Sequence, residues 1–144
     1  MINRRFFFDT VRRDLFAGRL RPGQIDGLNA ILDRFEETMP QGYDRWLAYM
    51  LATAYHETAA TMQPVRETLA PTDEKAIAAL DRAMAAGRLK TVKTPYWRLD
   101  AKGQSWLGRG FVQLTHRRNY EAMAKATGID LLARPERAME KDVA

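Results

Sequence analysis

Two carboxylates near the middle of the chain stand at a spacing that suits acid–base chemistry. Glu57 and Glu67 are ten residues apart, and Met62-Gln63-Pro64 between them predicts a break at which the chain can fold back. Two carboxylates facing one another across a cleft are the minimum for glycoside hydrolysis, because one protonates the leaving oxygen and the other activates a water molecule. This pair is therefore the first candidate for a catalytic site.

Glu57 lies at the end of a predicted apolar helix. Met50, Ala54 and Glu57 follow one another at steps of four and three, so the three side chains share one helix face. Poor hydration at the end of an apolar stripe disfavours the charged carboxylate, which suits a general acid. The alternative is a helix-end carboxylate that reaches solvent or pairs with Arg66 or Arg109.

Patterns for metal or cofactor chemistry are lacking. His56 invites comparison with the HExxH zinc motif, but Ala60 stands where that motif has its second histidine, and the only other histidine is His116. The absence of cysteine excludes thiolate ligands, a thiol nucleophile and disulfides. No phosphate-binding glycine motif occurs, so Gly108 and Gly110 predict close backbone approach at a cleft floor, or an ordinary turn. We expect no metal and no cofactor.

Aromatic residues are frequent in a long segment with few periodic apolar positions, residues 88–110. Tyr96, Trp97 and Trp106 lie there among polar residues, a mixture suited to stacking on sugar rings. Aromatic rings interleaved with basic residues could equally stack on the bases of single-stranded nucleic acid, or anchor the loop. A segment of this length without regular structure predicts a functional loop or a short hairpin.

The net charge and the start of the chain narrow the class of protein. With 23 Lys and Arg against 18 Asp and Glu, the net charge is +5 and the pI about 9.7, which favours a polyanionic partner. The apolar run at residues 6–8 is shorter than the roughly 7–15 residues of a signal peptide or the about 20 of a membrane span. We expect synthesis in the cytoplasm without a signal peptide and no stable membrane insertion.

Apolar periodicity predicts a mainly α fold. Asp44, Thr72 and Thr115 are candidate N-caps, and Trp46 belongs to the apolar stripe of the third helix. One short strand or extended segment is expected over 111–114, beside the long loop. The predicted helices cover residues 6–15, 24–37, 44–58, 72–87 and 115–128, with a weak helix from Pro135. We expect a single domain over 1–144 that is a monomer.

Two segments carry a family resemblance. One is Ala54-Tyr-His-Glu-Thr58 on the third predicted helix, and the other is the sequence GRGFVQLTHRRNY over residues 108–120. They resemble the HET and GRGxxQLTHxxNY segments of glycoside hydrolase family 19, which includes chitinases and phage-type endolysins. The resemblance runs from about Ala48 to Leu132 and implies a lysozyme-like α+β fold with a small β element beside the active-site cleft.

The resemblance also implies roles for individual residues. Glu57 would be the general acid and Glu67 the general base of an inverting reaction, with their carboxylates roughly 6.5–9.5 Å apart. Tyr120 would support the cleft and Arg109 would orient carboxylates near the acid. With the loop rings included, the predicted substrate-binding residues are His56, Tyr96, Trp106, Arg109, Gln113, Thr115, Asn119 and Tyr120.

Departures from the family pattern indicate a compact lysin. Ala59-Ala60 replaces the two glycines that often follow HET in chitinases, and the interval from Glu57 to Glu67 is shorter than in plant-type chitinases, whose disulfides are absent here. Family domains continue through further helices beyond the position of Ala144, so we expect a fragment or a shortened form.

The expected function is hydrolysis of β-1,4-linked N-acetylhexosamine polymers, with peptidoglycan ahead of chitin, at the bacterial cell wall or outside the cell. The expected partner is thus a polysaccharide and not nucleic acid. One alternative is an inactive relative that binds the wall or chitin, and another is a basic nucleic-acid module with strongly salt-dependent affinity.

Overall fold

The chain is mainly helical, as the apolar periodicity predicts. The computed structural model describes residues 2–144, and this part of the chain forms five α-helices and a two-stranded antiparallel sheet. The chain divides into an N-terminal unit, Met1–Gln63, and a C-terminal unit, Pro64–Ala144. The single domain expected over 1–144 stays a prediction. No helix among the described residues is long and apolar enough to cross a membrane.

Three helices build the N-terminal unit: α1 (Arg4–Asp14), α2 (Pro22–Thr38) and α3 (Asp44–Glu57). The side chain of Asn3 caps α1 by accepting a hydrogen bond from the amide of Phe6. Proline occupies the first position of α2, where no amide proton is needed, and the Gln24 side chain accepts from the amide that precedes the helix. These local signals start the helices within a few residues of the predicted positions.

Apolar side chains of α2 and α3 supply most of the buried positions in the N-terminal unit. Gly27 of α2 lies against the loop after α3, where a Cβ atom would come within 1.5 Å of the Met62 carbonyl oxygen. This contact therefore requires glycine. The buried apolar residues are Leu28, Ile31, Leu32, Phe35, Leu47, Ala54 and Met62.

Two predictions for α3 are wrong. Trp46 is 55% exposed, because the buried face is set by Leu47 and Ala54, and Trp46 points about 100° away from Leu47 around the helix. Asp44 is the first helical residue and not the N-cap, which is Tyr43 without a side-chain cap. The apolar stripe predicted from sequence is thus wider than the face that is buried.

The C-terminal unit combines two further helices with the sheet. Its elements are β1 (Val65–Arg66), a 3-10 helix (Glu67–Leu69), α4 (Asp73–Ala85), β2 (Arg109–Gly110), α5 (Arg117–Thr127) and a second 3-10 helix (Pro135–Met139). The strands pair with Val65 opposite Gly110 and Arg66 opposite Arg109. Thr72 caps α4 by accepting from the amide of Lys75, which confirms that prediction.

The strand predicted at 111–114 is wrong in position. The paired strand is Arg109–Gly110, and the following residues form a turn that brings Leu114 back to pair with Arg109. Gln113 turns the chain with a φ of 51°. Thr115 is not the cap of α5, since His116 holds the N-cap position, whereas the end predicted at Gly128 is confirmed by its left-handed conformation.

Two small apolar clusters support the loop-rich unit. One packs Trp97 and Leu107 against α4, and the other packs Trp106 against α5 through Tyr120. The segment between α4 and β2 thus contributes the buried residues Trp97, Trp106 and Leu107 although it has no helix or strand. These anchors place β2 and the adjoining turn beside the start of α4.

Candidate active site

Glu57 is the last residue of α3, with a partly exposed side chain. Within residues 2–63 its carboxylate makes no hydrogen bond or ion pair. The preceding His56 is exposed. The N-terminal unit therefore presents a carboxylate that has no structural role within that unit.

A buried threonine fixes the turn after Glu57. The Thr58 hydroxyl donates to the Ala54 carbonyl (2.6 Å) and accepts from the amide of Met62 (3.0 Å). Ala59 and Ala60 follow with φ of 49° and 61°, the left-handed region that favours glycine. The family pattern has two glycines at these positions, and glycine adopts such φ values without strain.

Glu67 follows β1 directly and is held at both carboxylate oxygens. Its Oε1 accepts from the Tyr96 hydroxyl (2.7 Å), and its Oε2 accepts from the amide of Gly108 (2.9 Å). The amide of Glu67 in turn donates to the Gly108 carbonyl (2.7 Å). Thr68 and Leu69 then adopt φ of 65° and 56°, a strained pair of residues of the kind found at functional sites. The side chain is fixed in one orientation.

Tyr96 is fixed between Glu67 and a histidine ring. Its ring lies 4.2 Å from that of His116 and 5.0 Å from that of Trp97, centroid to centroid. Burial raises the pKa of Tyr96, and the hydrogen bond and negative charge of Glu67 raise it further. The hydroxyl is therefore a permanent donor to the carboxylate at physiological pH.

The turn after β2 packs closely on Gly108. A Cβ atom there would meet the Gln113 side-chain oxygen at 2.7 Å and the Thr115 hydroxyl at 3.0 Å, so the expected close backbone approach is present. The Gln113 amide donates to the Val65 carbonyl (2.8 Å), which ties the turn to β1. The exposed Asn119 donates to the Thr115 carbonyl (2.7 Å). The motif residues therefore meet next to the amide that holds Glu67.

Arg109 lies beneath this turn in a buried ion-pair network. Its side chain is 1% exposed and pairs with Asp73, which also pairs with Arg66 (2.6 Å). Burial alone would lower the pKa of Arg109, but Asp73 and Tyr120 raise it overall. The carboxylate that Arg109 contacts is Asp73 at the start of α4, and a role of Arg109 near the candidate acid stays a prediction.

Tyr120 and Trp106 are buried, with 0% and 6% of their surface exposed. The Tyr120 hydroxyl accepts from Arg109 (2.9 Å) and donates to the Leu107 carbonyl (2.8 Å). The Trp106 ring packs on Tyr120, and its indole N–H donates to Asp100 (3.1 Å). Both residues support the turn from beneath, and Trp97 is likewise buried. No fully exposed ring for base stacking is thus found among the three loop aromatics.

The structure brings together the predicted site residues of the C-terminal unit and leaves Glu57 and His56 in the N-terminal unit. The separation expected between the two carboxylates stays a prediction. The sequence does not single out Thr58 or Asp73 as site residues. Thr58 is one residue of the HET segment, and Asp73 is an acidic residue in the first turn of a helix, where such residues are common. No group of three His, Asp or Glu side chains suited to a metal ion occurs among residues 2–144.

In comparisons with known proteins, the chain matches no protein-family model, no curated protein and no solved structure. The resemblance to glycoside hydrolase family 19 therefore rests on the motif residues themselves and stays a hypothesis.

Proposed function

We propose that this chain is a glycoside hydrolase of lysozyme-like fold that cleaves β-1,4 bonds between N-acetylhexosamines. Peptidoglycan is the preferred substrate, ahead of chitin. Glu57 is the general acid and Glu67 the general base of an inverting reaction. The protein acts at the bacterial cell wall, in the manner of a phage-type endolysin.

The arrangement around Glu67 carries this proposal. Glu67 accepts hydrogen bonds from Tyr96 and Gly108, which lie 29 and 41 residues further along the chain. Glu67 and the GRGxxQLTH segment, which the resemblance assigns to one site, are therefore also neighbours in space. The two donors hold the carboxylate and fix the direction from which its remaining lone pairs can accept a proton from water, as a general base requires.

The proposed reaction uses one proton transfer at each carboxylate. Glu57 gives its proton to the glycosidic oxygen as the bond from that oxygen to the anomeric carbon breaks. Glu67 takes a proton from a water molecule, whose oxygen bonds to the anomeric carbon from the opposite face. The products are a free hydroxyl on one sugar and an inverted anomeric hydroxyl on the other, with Glu57 ionised and Glu67 protonated until solvent restores them.

Charge favours an anionic substrate. Residues 64–144 contain 15 Lys and Arg against 10 Asp and Glu, whereas residues 1–63 contain eight of each. The whole net charge of +5 therefore lies in the unit that contains Glu67. A basic surface raises the local concentration of an anionic polymer such as bacterial wall and does nothing for neutral chitin.

The test is release of reducing ends from purified peptidoglycan and from soluble chitin oligomers. We expect wild-type protein to cleave, and Glu57→Gln and Glu67→Gln to lose at least about 100-fold in rate, because each replacement removes one proton transfer. Glu37→Gln and Glu121→Gln, on exposed helix surfaces of the two units, are the matched controls and should cleave normally. Proton NMR of the first product should show the inverted anomer.

Three results would count against the proposal. A folded wild-type protein that cleaves neither polymer but binds one would indicate an inactive binding relative. Retained anomeric configuration would exclude Glu67 as a base acting through water. Normal cleavage by Glu57→Gln would remove Glu57 from the reaction.

A further inference from the structure

Three large aromatic side chains at the start of α3 lie in solvent. Tyr43, Trp46 and Tyr49 are 69%, 55% and 75% exposed. The rings of Tyr43 and Trp46 meet edge to face at 5.5 Å, so they stabilise one another without being covered. A cluster of exposed aromatic rings indicates an interaction surface, since the core of this unit gains nothing from them.

This surface is continuous with the candidate general acid. Trp46, Met50, Thr53 and Glu57 succeed one another at steps of four, three and four, which places them on one stripe of α3. Trp46 and Glu57 are thus about 16 Å apart along the helix axis, within reach of a single extended polymer. The same helix carries both groups, so their spacing is fixed.

We propose that Trp46 and Tyr49 bind a part of the sugar polymer remote from the bond that is cut at Glu57. The inference rests on the proposed function and deepens it. The flat apolar faces of pyranose rings suit indole and phenol rings, while hydroxyls need charged or polar partners. The surface provides both chemistries, since a cavity of about 580 Å³ is lined by Tyr43, Asp44, Arg45 and Trp46.

A polysaccharide fits this surface better than a second copy of the chain does. Opposite charges from Asp44 and Arg45 flank the rings, and both side chains are exposed. Acidic residues such as Asp44 are depleted in protein interfaces, although arginine is not. A chain of sugars presents alternating apolar faces and hydroxyls, which matches this order of groups along the helix.

Intrinsic fluorescence offers a direct test, because Trp97 and Trp106 are buried and Trp46 is the exposed indole. In the Glu57→Gln protein, which should bind without cleaving, we would titrate N-acetylglucosamine oligomers from dimer to hexamer and soluble peptidoglycan strands. We expect long oligomers to shift the Trp46 emission to shorter wavelength and to protect it from acrylamide, and the dimer to do neither. Replacing Trp46 with Ala should weaken hexamer binding at least about fivefold and leave dimer binding unchanged.

The control is Phe6→Ala, which removes an exposed aromatic ring from α1 of the same unit and should alter neither affinity. If wild-type protein cleaves glycan but Trp46→Ala and Tyr49→Ala bind hexamer as tightly as the parent, the inference alone is overturned. If wild-type protein neither cleaves nor binds any glycan, the proposed function fails first. Self-association that Trp46→Ala abolishes would assign the surface to a second copy and overturn the inference in another way.

Discussion

The N-terminal and C-terminal units differ in the contacts that support their candidate carboxylates. In residues 2–63, apolar side chains on helices supply nearly all of the buried positions. In residues 64–144, a charged pair and two hydrogen-bonded tyrosines support a turn that contains little regular structure. Helix packing supplies a rigid frame for Glu57, whereas the orientation of Glu67 depends on polar contacts between distant segments.

The difference implies that the two units respond to different substitutions. Apolar packing is sensitive to added or lost volume, while a buried ionic network is sensitive to the loss of one partner. Loss of a partner leaves a charge buried without compensation, which costs more than the intact pair contributes. Substitutions in the two units, each paired with a control, can therefore test the contrast.

The largest effect is expected from Asp73→Ala, which leaves Arg109 buried without its partner. We expect the free energy of unfolding to fall by roughly 3–5 kcal/mol, measured by urea denaturation. Glu37→Ala, which removes a surface pair with Arg34, is the control in the other unit and should have a negligible effect. The double variant Asp73→Leu with Arg109→Met should recover much of the loss, because no charge stays buried. Equal losses from Asp73→Ala and Glu37→Ala would show that the network does not hold the C-terminal unit.

A slightly smaller fall in the free energy of unfolding is expected when a methyl group is added inside the N-terminal unit. The Cβ atom of Gly27→Ala would overlap the Met62 carbonyl oxygen, and backbone atoms cannot move aside cheaply, so we expect a loss of about 3 kcal/mol. Gly23→Ala on the same helix meets only the Gln63 side chain at 3.7 Å and should be neutral or slightly stabilising. Equal effects of the two substitutions in thermal unfolding would contradict the close contact between α2 and the loop after α3.

Acid should weaken the C-terminal network before it affects apolar packing. Burial by itself would raise the pKa of Asp73, but Arg109 and Arg66 lower it overall. A carboxyl with a lowered pKa contributes stability above its unfolded value of about 3.9, and this stability is lost as the pH falls through the lower folded value. We therefore expect the free energy of unfolding to fall below about pH 4. Asp73→Asn should show a shallower fall, and an unchanged slope would rule out Asp73 as a contributor.

How far the sequence predicts the structure also differs between the units. Apolar periodicity predicts a helix over 24–37 and α2 spans Pro22–Thr38, because periodicity and proline act within a few residues. The same periodicity places Trp46 in the core, because it shows which residues share a face and not how much of that face is covered. Strand pairing between Val65–Arg66 and Arg109–Gly110 depends on segments far apart in the chain, and no local pattern reveals it.

The candidate site shows the same limit. Spacing from Glu57 selects Glu67 and motif similarity selects Arg109, but their partners Tyr96 and Asp73 lie 29 and 36 residues away. That Tyr96 contacts sugar stays a prediction, and the sequence does not reveal that its hydroxyl donates to Glu67. Side-chain partners at such separations follow from tertiary packing, so a single sequence identifies the chemical groups and not their pairing.

A moderate effect on both stability and catalysis is expected from Tyr96→Phe, which removes the donor to Glu67 and keeps the ring. We expect a loss of about 1 kcal/mol in unfolding free energy and roughly tenfold in kcat/KM. The loss should lie in kcat, since the lost donor orients the proposed general base. Tyr55→Phe removes a hydroxyl that donates to the Leu15 carbonyl within the N-terminal unit, and it should leave kcat unchanged. A kcat for Tyr96→Phe that matches wild type would make Tyr96 a packing residue only.

The smallest effect is expected in the turn after Glu57, and its sign is the informative quantity. Ala60 has a φ of 61°, and its carbonyl accepts from the Gln24 side chain (2.9 Å), so the turn is fixed although its conformation disfavours alanine. Glycine removes that strain of about 1 kcal/mol but adds freedom to the unfolded chain, so Ala60→Gly should stabilise by about 0.5 kcal/mol. Ala52→Gly, at an exposed position inside α3, should destabilise by about 1 kcal/mol, because the helix gains nothing in return. Opposite signs in the two unfolding experiments would mean that backbone strain is stored next to Glu57, as it is next to Glu67 in the other unit. Equal losses would mean that the turn after Glu57 stores no strain and that the two candidate carboxylates differ in this respect.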